Sequence, residues 1–395
     1  MTLTPEEGRR VHVLTLLEGK RISVGQAAEA LGLTPRQVRR LRVRLRQTGP
    51  AALIHGNRGR RSDRRLPEAL TTQILTLARG RYAGLNDVHL AEKLTTVEGL
   101  TVSRATVQRV LRAAGLVSPR RRRPPRHRSR RARRAQAGLL CQLDGSPCAW
   151  FGPAQPIYSL LGAIDDATGA VLAATFRAQE DAAGYLTLLR TLGMTVGLPA
   201  AVYTDAHGIF VRNDPHWTLA EQLQGAQDPT QVGRALQALG IHHIVAESPQ
   251  AKGRIERLWN TFQDRLVAEL RLAGITTMAA GNAFLVTTFL PAFNAQFAVP
   301  PAVAATAYRN IPRGVDLDRI CAFHYTRQVA LDNTVRVEEV VLQLAPGPRR
   351  RSYARAQADV VQCLDGAWRV YVGDRLVAST PAPPDPGQLR ARRRR

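Results

Sequence analysis

Residues 119–134 read PRRRRPPRHRSRRARR, with ten arginines, one histidine, three prolines and no acid. Like charges at this density repel one another, and proline interrupts regular helix, so the segment cannot lie inside a packed core. It is an extended linker or arm, and it divides the chain into a shorter N-terminal and a longer C-terminal part. As an arm it could follow a phosphate backbone or enter a minor groove. As a linker it would simply be solvated. A second basic run, RARRRR, ends the chain.

The surplus of cations is general. Lys and Arg number 56 against 31 Asp and Glu, a formal net charge of +25. Lysine stands only at 20, 93 and 252, a compositional bias that explains arginine over lysine but not cation over anion. Such a surplus favours an anionic polymer as partner, because each phosphate contact releases condensed counterions. A 44% hydrophobic content excludes disorder of the whole chain. With no apolar run of membrane-spanning length and a polar start, MTLTPEEGRR, neither a membrane span nor a secretory signal is expected. The four cysteines, at 141, 148, 321 and 363, lack CxxC or Cys/His spacing, so neither a disulfide framework nor a zinc site is expected and a reducing, intracellular setting is.

Ahead of the arm, SVGQAAEALGLTPRQVRRLRVRLRQ (23–47) carries two apolar-periodic segments joined at LGLT. Ser23 is placed to cap the first, Gly32 to turn the chain, and Thr34 with Pro35 to start the second. This is a helix-turn-helix pattern. Its second helix presents Arg36, Gln37, Arg39, Arg40 and Arg44, side chains that read base edges and phosphates. The alternative is a helical hairpin with a solvated basic face. A weaker copy follows, with helices expected over Asn86–Leu94 and Ser103–Ala114 and with Arg104 and Arg109 outward. It reads as a second helix-turn-helix, with or without a wing, or as plain three-helix packing.

Beyond the arm the pattern becomes α/β. Strands are expected at Leu139–Asp144, Ser159–Ile164, Ala170–Phe176, Ala201–Thr204 and Ile241–Ala246, with helices at Ala182–Leu192, Val232–Leu239 and Ala251–Leu272, which implies a mixed sheet with covering helices. Residues 211–231 read as a polar insertion. From 325 onward short strands return, at Arg327–Leu331, Val335–Leu344, Asp359–Cys363, Trp368–Val372 and Arg375–Ser379, which suggests a small antiparallel barrel.

Acids are scarce, so their placement is informative. Asp144 in CQLDGS and Asp205 in VYTDAHG are expected at strand ends, and Glu256 in SPQAKGRIERLWN near the start of a long helix. Carboxylates gathered at one sheet edge repel unless cations neutralise them, and hard oxygen ligands suit Mg²⁺ or Mn²⁺. Asp165 and Asp166 are rival acids, but their DDATG setting reads as a turn. His207 reads as a phosphate or water contact, or as a loop histidine. Lys252, four residues before Glu256 on the same expected helix face, could hold a phosphate. Arg254 and Arg257 point elsewhere around the helix and read as solvated, while Trp259 and Phe262 read as core.

These residues carry a resemblance. SPQAKGRIERLWNTFQDRL, with its Glu between Lys/Gly and an aromatic, together with Asp144 and Asp205, resembles the DDE transposases and retroviral-type integrases, and the chain looks most like bacterial insertion-sequence transposases of the ISNCY type. The resemblance covers nearly the whole chain. It implies a helix-turn-helix domain at 1–62, a second at 63–118, an Arg-rich linker at 119–135, an RNase H-like integrase core at 136–312, a small C-terminal β-barrel at 313–380 and a basic tail at 381–395. It implies Asp144, Asp205 and Glu256 as catalytic residues holding two Mg²⁺ or Mn²⁺ ions. Arg121, Arg126 and Arg130 of the arm and Lys252 would join the helical arginines as DNA contacts. The implied partners are double-stranded DNA, as terminal inverted repeats and target, and a second copy of the chain, in a bacterial cytoplasm in association with the nucleoid. Two departures stand out: the family often has Asp-Asn-Gly at the second acid where this chain has Asp205-Ala206-His207-Gly208, and Asp205 and Glu256 lie farther apart than in compact integrases. Other functions consistent with the residues are a DNA-binding regulator with an inactive core and a purely hydrolytic nuclease.

Overall fold

A computed structural model describes residues 3–54, 58, 66–118, 131–212, 214–246 and 253–392. Arg121, Arg126, Arg130 and Lys252, and the arm up to residue 130, lie outside these described residues. The chain divides into two compact units, Met1–Gln73 and Ile74–Arg395.

The first unit contains α1 (Pro5–Glu18), α2 (Val24–Leu31) and α3 (Pro35–Thr48). Each begins with a capping box: Thr4 with Glu7, Ser23 with Gln26, Thr34 with Gln37. Reciprocal bonds of this kind satisfy amide groups that a helix start leaves without partners. Gly32 ends α2 at φ 63°, a left-handed conformation that glycine adopts without a Cβ penalty. Val13, Leu14, Leu17, Ala27, Ala28, Val38 and Leu53 form the interior. The α2–turn–α3 arrangement is the one expected from 23–47. The supporting helix α1 carries no comparably clear apolar stripe and was not expected.

α4 (Glu68–Arg79) runs across the division between the units, and α5 (Asp87–Thr96) and α6 (Arg104–Ala113) follow. Asn86 and Ser103 cap α5 and α6, as their positions before apolar-periodic segments predict.

The central sheet contains β1 (Cys141–Cys148), β2 (Tyr158–Asp165), β3 (Val171–Arg177), β4 (Ala201–Thr204) and β5 (His242–Val245), in the order β3-β2-β1-β4-β5. The β1–β2 and β2–β3 pairs are antiparallel, and β1–β4 and β4–β5 are parallel. α7 (Ala182–Thr195), α8 (Leu219–Gln224) and α9 (Gln231–Ala238) lie between strands, and α10 (Gly253–Leu272) follows β5. Leu143, Leu161 and Val202 pack with Leu186, Leu189 and Leu236 of α7 and α9. Leu160, Ile164 and Phe176 pack with Ile255, Phe262 and Leu266 of α10, with α11 (Met278–Phe284) through Met278 and Phe284, and with α12 (Leu290–Phe297) through Phe293. The sheet is therefore covered by helices through two apolar clusters; β2, β3 and β4 are mostly apolar, whereas β1 and β5 carry polar residues such as Gln142, Asp144, His242 and His243. In the polar insertion Arg212 gathers Asp214, Glu221 and the carbonyl of His216.

The expected barrel is not present. After the short α13 (Leu317–Ile320) come β6 (Phe323–Gln328), β7 (Thr334–Val337), β8 (Val340–Gln343), β9 (Gln357–Gln362), β10 (Trp368–Val372) and β11 (Arg375–Ser379). They form an open four-stranded antiparallel sheet, β11-β10-β9-β6, and a separate β7–β8 hairpin. Among the described residues β6 and β11 remain edges, so nothing closes the sheet. The sequence places one strand over 335–344 and another over 327–331. The chain instead turns at Glu338, whose φ is 55°, and the first strand begins earlier because Phe323 and Tyr325 alternate into the interior. Phe323, Val360 and Val370 join the same apolar cluster as α7 and α9, so this sheet packs on the core instead of closing on itself.

Gly138 connects the end of the arm to β1 and adopts φ 86°, and a Cβ there would lie 2.5 Å from the Tyr308 nitrogen. Gly138→Ala combines a strained backbone with a backbone clash and should cost about 3 kcal/mol. Chemical denaturation followed by tryptophan fluorescence checks this, and a loss below about 0.5 kcal/mol would show that the Tyr308 segment yields freely.

Candidate active site and DNA-binding surface

The two aspartates meet through strand register. Cys141 pairs with Val202 and Gln142 with Tyr203 across the parallel β1–β4 pair, and the same offset sets Asp144 beside Asp205. Asp205 directly follows β4. Asp144 lies in the middle of β1 instead of at its end, because Gly145 to Cys148 continue the antiparallel pairing with β2. Both aspartates lie just beyond the last β1–β4 pair, Gln142–Tyr203.

α10 is fastened to this point. Trp259 Nε1 donates to Asp144 Oδ2 at 2.9 Å. Its indole lies over Gly162, the residue opposite Asp144 on β2, and a Cβ at 162 would meet the ring at 2.7 Å. One turn further, Gln263 Nε2 donates to Ser146 Oγ at 3.1 Å. The sequence reading of Trp259 as core is half of its role, since the indole N–H also orients Asp144.

Glu256 lies in the first turn of α10 and is exposed. Among the described residues no three His, Cys, Asp or Glu side chains are close enough together to hold a metal ion. Asp144 and Asp205 both act through their charge on the buried Tyr185 hydroxyl, and Glu256 stands on the helix that is bonded to Asp144 through Trp259.

A further acid, Glu180, was not singled out in the sequence. Its carboxylate accepts the Tyr185 hydroxyl and reaches the β1 backbone, where only the absence of a Cβ on Gly145 gives it room, 2.7 Å from the would-be atom. Tyr185 is buried, and burial together with the charges of Glu180, Asp144 and Asp205 raises its pKa well above the ordinary phenol range. The only sequence signal was the glycine following Asp144.

The rival acids have structural partners. Asp165 accepts from the Gly138 amide at 2.9 Å, from both the amide and hydroxyl of Thr168 at 2.8 Å, and from the Tyr308 hydroxyl at 3.1 Å. Asp166 is buried and accepts from Gln142, Arg131, Arg254 and the Arg134 amide. Burial alone would raise its pKa, but the Arg134 amide and the Arg131 and Arg254 guanidinium groups outweigh it and hold the carboxyl below the usual range. Arg254 is thus not the solvated side chain expected from its position. Its long side chain reaches the sheet, which helix periodicity alone does not reveal. His207 is exposed, and its Nδ1 accepts from the Ile209 amide at 3.3 Å.

On α3, Arg36, Arg39, Arg40 and Arg44 are exposed. Gln37 is engaged in the Thr34 cap. Arg42 and Arg46 bind Glu18 of α1 at 2.6 and 2.7 Å. Arg104 and Arg109 of α6 are exposed as well. α5, by contrast, spends its polar face on α10: His89 and Lys93 meet Glu269 at 2.7 Å, and Glu92 takes both Nη atoms of Arg265 at 2.6 and 2.8 Å.

A family model described as a winged helix-turn helix matches residues 9–71. A protein of Sinorhizobium fredii (strain NBRC 101917 / NGR234) named as a transposase, y4bF, is 38% identical over 79% of this chain. The chain spans 66% of that relative's length, just under two thirds. The transposase for insertion sequence IS1202 of Streptococcus pneumoniae is 28% identical over 92% of this chain and 83% of its own. A chain from the cryoEM structure of the simian T-cell lymphotropic virus intasome in complex with PP2A regulatory subunit B56 gamma matches 78% of this chain and 99% of its own at 14% identity. Its TM-score of 0.30 is too low to bear on the fold. No helix among the described residues is long and apolar enough to cross a membrane. With transposase relatives over most of its length and a helix-turn-helix match at its start, the chain is similar to transposases, among them one of an insertion sequence.

Proposed function

We propose that the chain is a DDE-type transposase with an RNase H-like core, which binds the terminal inverted repeats of its element, cleaves DNA at the element's ends and joins the freed 3′-hydroxyl to target DNA. The observation that carries this reading is the shared register of Asp144 and Asp205 on neighbouring parallel strands, with α10, the helix bearing Glu256, bonded to Asp144 through Trp259.

The donor chemistry fits Mg²⁺ or Mn²⁺ in part. Asp144 and Asp205 offer hard carboxylate oxygens, and Glu256 would complete the set from the first turn of α10, although no three acids among the described residues are grouped closely enough to hold an ion as they stand. When bound, such cations would neutralise the carboxylates and stabilise the charge that develops on a phosphodiester under attack. The chain's own part is to hold the acids, exclude competing geometries and place DNA. Trp259 fixes the Asp144 carboxylate, and the rigid β1–β4 pair fixes the spacing between the aspartates.

Recognition of the ends would fall to α3, with Arg36, Arg39, Arg40 and Arg44 facing solvent, and the backbone to Arg104, Arg109 and the arm with Arg121, Arg126 and Arg130. Lys252, just ahead of α10, would meet donor or target phosphate. Two DNA ends have to be joined together, so at least a dimer assembles on DNA, in the cytoplasm and at the nucleoid. That no three acids among the described residues are grouped to hold a metal favours a second reading, a DNA-binding regulator with an inactive core.

Changing Asp144, Asp205 or Glu256 singly to Ala should lower cleavage and strand transfer at least about a hundredfold in Mg²⁺ while specific end binding persists. Near-normal strand transfer in any one variant would remove that residue from the set, and a wild-type protein that binds ends but never cleaves would establish the regulator. Arg39→Ala with Arg40→Ala should weaken binding to cognate ends by about 1–3 kcal/mol and relax sequence preference if the pair reads bases. Competition binding on cognate and scrambled DNA measures this, and equal losses on both would reduce the pair to phosphate contacts.

A further inference from the structure

We propose that Asp166 is a positioning residue for the helix that carries Glu256, and that it ties the inner end of the arginine arm to the same point. The inference rests on the catalytic reading of Glu256 above. Asp166 is 1% exposed, and its two oxygens are shared among four donors. Oδ1 accepts from Gln142 Nε2 at 2.7 Å, from Arg254 Nη1 at 2.5 Å and from Arg131 Nη2, and Oδ2 accepts the Arg134 amide at 2.9 Å. Arg254 also donates Nη2 to the Arg131 carbonyl at 2.7 Å, which closes a triangle between the arm, the sheet and α10. Arg133 donates to the Ala167 carbonyl at 3.1 Å on the same turn.

Breaking a buried ion pair leaves a charge without compensation, so a cluster of this kind strongly favours one arrangement. Gln142 stands on β1, two residues before Asp144. Arg254 is the second residue of α10 and Glu256 the fourth. A single carboxylate therefore links the strand that carries Asp144, the first turn that carries Glu256 and two of the last three arginines of the arm, Arg131 and Arg134. A turn aspartate with no reach to the site would not need a cation from that helix.

The test is hydrogen exchange on the full chain without metal or DNA, read at the amides of residues 257–260, whose helical acceptors are the carbonyls of residues 253–256. Arg254→Gln removes the tie from α10 but leaves Asp166 with Arg131, the Arg134 amide and Gln142, so the fold is retained. Exchange at 257–260 should rise about tenfold, with α7 unchanged, because local opening there loses its restraint. Specific end binding should stay within about twofold, while strand transfer falls at least about tenfold. Asp166→Asn should reproduce this and also speed tryptic cleavage at residues 131–134. Unchanged exchange at 257–260 in Arg254→Gln overturns the proposal, whatever happens to activity. Raised exchange with full strand transfer also overturns it, provided that Glu256→Ala abolishes transfer. If Glu256→Ala keeps transfer, the catalytic reading fails instead, and the exchange rates alone then decide whether Asp166 holds the first turn.

Discussion

Two buried carboxylates at one turn hold much of the larger unit together. Asp165 and Asp166 end β2 and begin the turn to β3, and each is 1% exposed. A carboxylate without solvent has to be compensated by donors or cations, and the chain supplies them from distant segments: Gly138 and Tyr308 to Asp165, and Arg131, Arg134, Gln142 and Arg254 to Asp166. The entry of the arm, the start of β1, the segment at 308 and the first turn of α10 are thereby brought to one edge of the sheet.

From this edge the site is built by register and by one indole. Parallel pairing of β1 with β4 carries Asp144 and Asp205 side by side. Trp259 crosses β1 and β2 at Asp144 and Gly162, where only a glycine leaves room for the ring. Further along α10 the helix is bound to α5 by Glu92–Arg265 and by Glu269 with His89 and Lys93. The helix that carries Glu256 is thus held at its start, near its middle and toward its end, each time by a polar contact whose geometry is more specific than apolar packing.

The arginines divide into two populations. Arg42, Arg46, Arg112, Arg131, Arg254 and Arg265 neutralise acids within the fold, whereas Arg36, Arg39, Arg40 and Arg44 face solvent from α3. Net charge alone pointed to a polyanionic partner but did not separate these roles, because both use the same residue type. The distinction depends on which acids come near, and those acids are remote in the chain: Glu18 from Arg42, Asp166 from Arg254, Glu92 from Arg265.

Local signals in the sequence determined the starts of α2, α3, α5, α6 and α7, the α2–turn–α3 motif, five core strands and the approximate places of the three acids, since caps, glycine turns and apolar periodicity act over a few residues. Those signals also marked the short C-terminal strands. Whether these strands close was decided by tertiary packing: Phe323, Val360 and Val370 turn toward the core, and the β6 and β11 edges stay apart. The same holds at the site. That Asp144 sits in mid-strand, that Glu180 reaches its neighbour and that Asp166 is a hub of cations all depend on strand pairing and on contacts between segments distant in the chain, as between Arg254 and Asp166. Such long-range contacts are set by the burial of charge and apolar surface in three dimensions, for which no short window of sequence carries the information.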